Sequence, residues 1–134
     1  AGSLSGFLNP SDTQTNGVIS NAINIGDNID AMWGAPQLGR WKWHDPNVHA
    51  NLLVQNNTRL WVFSPLTQAC GDPAAMGGGD CSVVQGSNRI FYAHYRSLGG
   101  RNAHWDITGG GGNDWGSWAG QLGAMAGDIS AALG

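Results

Sequence analysis

Two short runs fix what this chain can fold into: TRLWVFS at 58–64 and NAHWDIT at 102–108. Each is brief, mostly apolar, and rich in β-branched or aromatic side chains, which is the pattern of a buried strand. The segment between them has helical spacing. Ser82 is a good N-cap, Val84, Phe91, Tyr95 and Leu98 share one face, and Gly99–Gly100 stop the run. A helix-length connection is too long for a hairpin, so the two strands are expected to lie parallel with a right-handed crossover.

The rest of the chain extends that order. Residues 1–9, AGSLSGFLN, read as the tail of a strand entering a loop. A short helix is expected within 17–33 from Val18, Ile19, Ala22 and Ile23, and an aromatic loop over 33–46. Asp45 followed by Pro46 predicts a helix start, with Asp at the N-cap and Pro at the first helical position, running to Asn56. Asn113 or Asp114 would cap a final helix with apolar residues Trp115, Trp118, Leu122, Met125, Ile129 and Leu133 on one face. Burying those six would contribute on the order of 10 kcal/mol before entropy is subtracted. The fold class is therefore α/β, and its chemistry belongs beyond the carboxyl ends of the strands. Two loops occupy that place: Ser64 to about Ser82, and the glycine run after Thr108.

Composition narrows the function. The 134 residues carry a net charge of −3, with one lysine and no glutamate, so there is no basic footprint for nucleic acid. No apolar run approaches a membrane span of roughly 18 residues. No signal peptide precedes Ala1, which reads as a processed or cut end. Cys70 and Cys81 fit no common metal or redox motif. They are either two free thiols or a disulfide, which would contribute about 3 kcal/mol or less and imply export.

The glycines 109–112 are followed by Asn113 and Asp114 rather than Lys-Ser/Thr, which argues against a phosphate loop. They read as a flexible connector, or as a loop that once carried a catalytic residue. For an acyl-transfer triad, GSLSG at 2–6 places Leu4 where a nucleophile would stand. Asp72 follows a strand at a plausible distance for the acid. The position after the last strand holds Asn113, a neutral amide that cannot act as a general base. His104, within the strand, is the weak remaining candidate, although a strand histidine is more often structural. His44, His49 and His94 show no ligand spacing, so no metal is expected, nor any cofactor.

The stretches AGSLSGFLNPS, MWG, NNTRLWVF, GGRNAHWDI and WGSWAGQLGAMAGDISAALG, in that order over nearly the whole chain, resemble the C-terminal half of the antigen 85 family of secreted mycobacterial mycolyltransferases. NNTRLWV and the WxxWxxQLxAMxGD pattern at 115–128 are the specific motifs. APQLGRWKWHDP at 35–46 and GDPAAM at 71–76 are more similar still to the family's non-catalytic, secreted MPT-type branch. The resemblance implies an α/β-hydrolase fold. Residues 1–134 would form one partial domain lacking the N-terminal half with the nucleophile elbow. It also implies export to the cell wall.

Carried over by position, the resemblance puts Asn113 where the family has its catalytic histidine, and Gly71, with Asp72 beside it, where it has its catalytic acid. Trp115 matches a tryptophan lining the family's sugar pocket. The expected ligand-binding set is Trp115, Trp118, Asp72, Asn113, Trp41 and Trp43, with core packing as the competing role for each tryptophan.

Three functions follow: a non-catalytic envelope protein binding mycolyl sugars such as trehalose glycolipids, other glycans, or fibronectin; a surviving mycolyltransferase or esterase with its serine on the missing half; or a fragment with no ligand. An exposed sheet edge further predicts a partner, either that half or a second copy of the chain.

Overall fold

The structure is a computed structural model. It describes residues 1–23, 34–35, 38–65, 80–107, 109–112 and 114–134, with the side chains of 20–23 and 80–82 excluded. The element order is β1 (Gly2–Leu4), α1 (Thr13–Ile23), α2 (Arg40–Trp43), α3 (Ala50–Gln55), β2 (Leu60–Phe63), α4 (Asp80–Ser97), β3 (Ala103–Asp106) and α5 (Trp115–Leu133). The three strands form one parallel sheet in the order β1-β2-β3, with Gly2 beside Trp61 and Trp61 beside His104. This is the α/β arrangement the two strand runs predict.

Strand alternation divides the sheet into two faces. Leu60 and Val62 point to one side and bury against Leu8, Ala50, Phe91 and Tyr95, with Ala103 and Trp105 completing that core. Helices α1 and α3 lie against α4. Trp105 is ringed by Phe91, Tyr92 and Tyr95 at centroid distances of 5.9, 4.9 and 5.6 Å. As expected, α4 ends where Gly99 and Gly100 donate their N–H groups to the carbonyls of Arg96 and Tyr95.

The opposite face carries Gly2, Trp61, Phe63, His104 and Asp106, and α5 crosses it. Gly2 lets α5 approach closely: a Cβ at that position would lie 2.6 Å from Met125 Cε, so a larger residue would displace the end of that side chain. Gln121 joins the helix to two strands, accepting from Trp61 Nε1 at 2.9 Å and donating to Asp106 Oδ2 at 2.8 Å. Arg59 grips Asp128 through Nε and Nη2 at 2.7–3.0 Å. That hydrogen bonding holds the Asp128 carboxyl below the usual carboxylate range.

The expected buried stripe of α5 is overturned. Of its six apolar positions only Met125 is buried, whereas Leu122, Ile129 and Leu133 are exposed and Trp115 is 81% exposed. At about 100° per residue, the sheet-facing residues Gln121, Met125 and Asp128 lie roughly a quarter turn from the Trp115–Leu122–Ile129–Leu133 stripe. Polar contacts to Trp61, Asp106 and Arg59 set the helix's rotation, and the apolar stripe is left facing outward. Gly120, Gly123 and Gly127 form a further flank that meets open space.

Three smaller expectations are also corrected. Helix α1 starts at Thr13 because Asp12 accepts the N–H groups of Gln14 and Thr15 at 3.1 and 3.2 Å. The aromatic segment contains a four-residue helix, α2. Asp45 does not begin a helix. Its buried carboxylate takes Ser11, Asn47 and Val48 N–H groups into a turn, and α3 starts only at Ala50.

Candidate functional site

The carboxyl ends of the three strands converge on one rim. At β1, Ser5 turns the chain with φ 57°, a left-handed conformation uncommon for a side-chain-bearing residue, and donates its N–H to Phe63 O at 2.8 Å. At β2, Ser64 is 2% exposed and donates its N–H to Asp106 O at 2.9 Å. Ser5 and Ser64 thus each follow directly on the last paired residues of their strands, Leu4 and Phe63. Both hydroxyl oxygens are buried, and among the described residues neither has a hydrogen-bond partner. An unpaired buried hydroxyl costs on the order of 1–3 kcal/mol, so these two serines stand out among the described residues of the rim.

At β3, Asp106 is clamped by Gln121 from α5. The glycine loop then passes closely over the strand ends. A Cβ at Gly109 would meet Asp106 Oδ1 at 2.6 Å, and Gly111, at φ 126°, leaves only 3.2 Å between a Cβ and the Phe63 ring. These two glycines are therefore explained by close approach and by backbone conformation.

The loop ends on the N-terminus of α5. Asp114 caps it by accepting from Ser117 N at 2.9 Å, and Ser117 Oγ donates back to Asp114 Oδ2 at 3.1 Å. The Ser117 N–H is the main reason the Asp114 carboxyl is held below its ordinary range. The cap carboxylate thereby occupies donors that an anion would otherwise use at this helix end. Trp115 stands next, its ring edge-on to Trp118 at 5.0 Å and 81°. The indole nitrogen of Trp118 is buried and, among the described residues, has no partner.

The predicted residues divide as follows. Trp115 and Trp118 meet at the rim. Asn113, Gly71, Asp72 and Cys70 lie outside the described residues, as does the side chain of Cys81. His104 sits mid-strand on the α5 face, stacked on Trp61 at 3.8 Å and 23°. It is two residues, about 7 Å, back from the strand end at Asp106. His94 contacts Asn47 at 3.0 Å near the far end of α4, and His44 and His49 lie in the β1–β2 crossover.

Trp41 and Trp43 part company. Residues i and i+2 point to nearly opposite sides of a helix. Trp41 is accordingly buried with Ile19 and Phe7, its Nε1 donating to Gly34 O at 3.1 Å, whereas Trp43 is 72% exposed. Trp41 is thus a core residue rather than a ligand platform. Sequence reasoning missed Ser5, Ser64, Asp106 and Gln121. Their one available signal was position, immediately at or after a strand end or on the sheet-facing side of the last helix. Among the described residues no group of three or more His, Cys, Asp or Glu is placed to hold a metal, and no helix is long and apolar enough to cross a membrane.

Against known proteins, a family model described as "Esterase: Putative esterase" matches residues 1–129. The MPT51/MPB51 antigen of Mycobacterium tuberculosis is 58% identical over 135 residues, covering 99% of this chain and 45% of that protein. The diacylglycerol acyltransferase/mycolyltransferase Ag85B of Mycobacterium intracellulare is 37% identical over 144 residues, covering 100% of this chain and 42% of that protein. The crystal structure of Mycobacterium tuberculosis MPT51 matches with a TM-score of 0.87 at 59% identity, over 96% of this chain and 49% of that one. The chain spans about half the length of the relatives it matches. Its fold is that of the α/β-hydrolases, as the sequence resemblance implied.

Proposed function

The chain belongs to the esterase family, among its mycolyltransferase-related members, and on that premise we propose that it binds sugar without transferring an acyl group. The segment 112–118 carries this reading. Asn113 supplies an amide where acyl transfer needs an imidazole, Asp114 commits its carboxylate to the first turn of α5, and Trp115 is 81% exposed. An exposed indole ring is a stacking surface for the apolar face of a sugar. Beside it, the Trp118 N–H is buried and without a hydrogen-bond partner among the described residues. Trehalose glycolipids of the cell envelope are the proposed ligands. Export to the cell wall and contact with fibronectin belong to the same reading and rest on the resemblance alone.

The competing enzyme reading needs His104 to reach a nucleophile supplied from the other half. Its stacking on Trp61, set back from the strand ends, argues against that. The test combines the chain with the N-terminal half of a family mycolyltransferase and adds trehalose and a mycolyl donor. Saturable quenching of tryptophan emission without transfer, lost in Trp115→Ala, is the expected result. Turnover that disappears in His104→Ala would overturn the proposal in favour of the enzyme.

The same premise concerns assembly. Among the described residues β1 has no strand on its outer edge, and an apolar cavity of about 220 Å³ opens beside it, lined by Gly2, Leu8, Leu53, Leu60 and Phe91. With the outward stripe of α5, these surfaces suit the complementary half of the fold or a second copy. Light scattering on the isolated chain decides this: a monomer with a cooperative melt would refute the need for either.

A further inference from the structure

The opposite end of the sheet holds a second polar feature that owes nothing to the rim. At the amino ends of β2 and β3 a recess of about 380 Å³ is lined by Asn57, Arg59, Asn102, Asp128, Ala131 and Ala132. That volume falls within the range of small-ligand sites. Its floor is the Arg59–Asp128 pair, whose side chains are 33% and 24% exposed. Arg59 spends Nε and Nη2 on the carboxylate, and its Nη1 makes no hydrogen bond among the described residues. Asn102 spends its Nδ2 on Asn57 O at 2.7 Å, which leaves its carbonyl oxygen as an acceptor. Asn57 is held at φ 48° in the turn before β2, with its amide exposed. Ala131 and Ala132 close one wall with methyl groups only, so the space is not filled by side chains.

The charge balance selects the ligand class. The guanidinium and carboxylate neutralise each other, so an anion reaching Nη1 meets the Asp128 oxygens, and a cation reaching Asp128 meets Arg59. A neutral group with adjacent hydroxyls escapes both penalties. One hydroxyl accepts from Arg59 Nη1 or the Asn57 amide, while its neighbour donates to Asp128 or to the Asn102 carbonyl. We propose that this recess is a polyol subsite that takes one pyranose unit through a vicinal diol. It is separate from the rim and does not depend on the sugar reading proposed there.

The experiment is an NMR titration of the labelled chain with glucose, following the Arg59 Nε–H and the Asn57 and Asn102 side-chain amides, up to about 100 mM for a weak site. Saturable shifts of these three signals are expected. Ala132→Phe, which fills the recess without touching the ion pair, should weaken the apparent affinity at least about tenfold. Asn57→Gly keeps the left-handed turn, removes one amide, and should weaken it several-fold, so the proposal remains testable if the phenylalanine variant fails to fold. Silence of all three signals overturns the proposal. So does equal binding by the variants, or a response to inorganic phosphate but not to glucose.

Discussion

Helices α4 and α5 are similar in length, follow consecutive strands, and lie on opposite faces of the same sheet, yet they bury opposite kinds of surface. Helix α4 lays Val84, Phe91 and Tyr95 into the core. Helix α5 touches the sheet with Gln121, Met125 and Asp128 and turns Leu122, Ile129 and Leu133 outward. Helical periodicity reports that a helix has an apolar side, but not which neighbour receives it. For α5, three polar attachments to Trp61, Asp106 and Arg59 decide the rotation.

The largest test of that contrast is Phe91→Ala. It removes a ring packed against Tyr95 and Trp105 and should cost about 3–5 kcal/mol in denaturant unfolding. Next is Gly2→Val, which displaces the flexible end of Met125 and should cost no more than about 1 kcal/mol in denaturant unfolding. A larger loss would show that Met125 is pinned between β1 and α5.

The third test is acid. Asp114, through the Ser117 N–H, and Asp128, through the Arg59 side chain, both titrate lower in the folded chain than unfolded. The stability they confer is full above the unfolded carboxylate value and drains as the pH falls through the folded one. Amide exchange across acidic pH should therefore show α5 opening before α4, and simultaneous opening would break the comparison. Smallest of all, Leu133→Ala, at a residue 83% exposed, should change stability by no more than about 0.5 kcal/mol. The same change made in a full-length assembly would report any partner seated on that stripe.

Strands and long helices were legible because each combines a strong period with clear stops. TRLWVFS contains β2, NAHWDIT contains β3, and Asp114 caps α5 as one of two expected residues. Asp45 misled because its side chain satisfies a turn and Ser11, a partner distant in sequence that no local rule anticipates. Trp41 and Trp43 were legible as a pair but not as opposites, since that required knowing that residues 40–43 form a helical turn. At the rim, the tryptophans stood out by type. Ser5 and Ser64 did not, because a lone serine becomes notable only once the fold buries its hydroxyl.

The glycines of α5 carry a last consequence. Gly116, Gly120, Gly123 and Gly127 each disfavour a helix by about 1 kcal/mol relative to alanine. A peptide of this sequence would not hold the shape in water; its order is lent by Gln121, Met125 and Asp128. Severing those ties should expose Trp115 through Leu133 to endoproteases while the remaining sheet and α4 stay resistant, so limited digestion would release this carboxyl-terminal segment first.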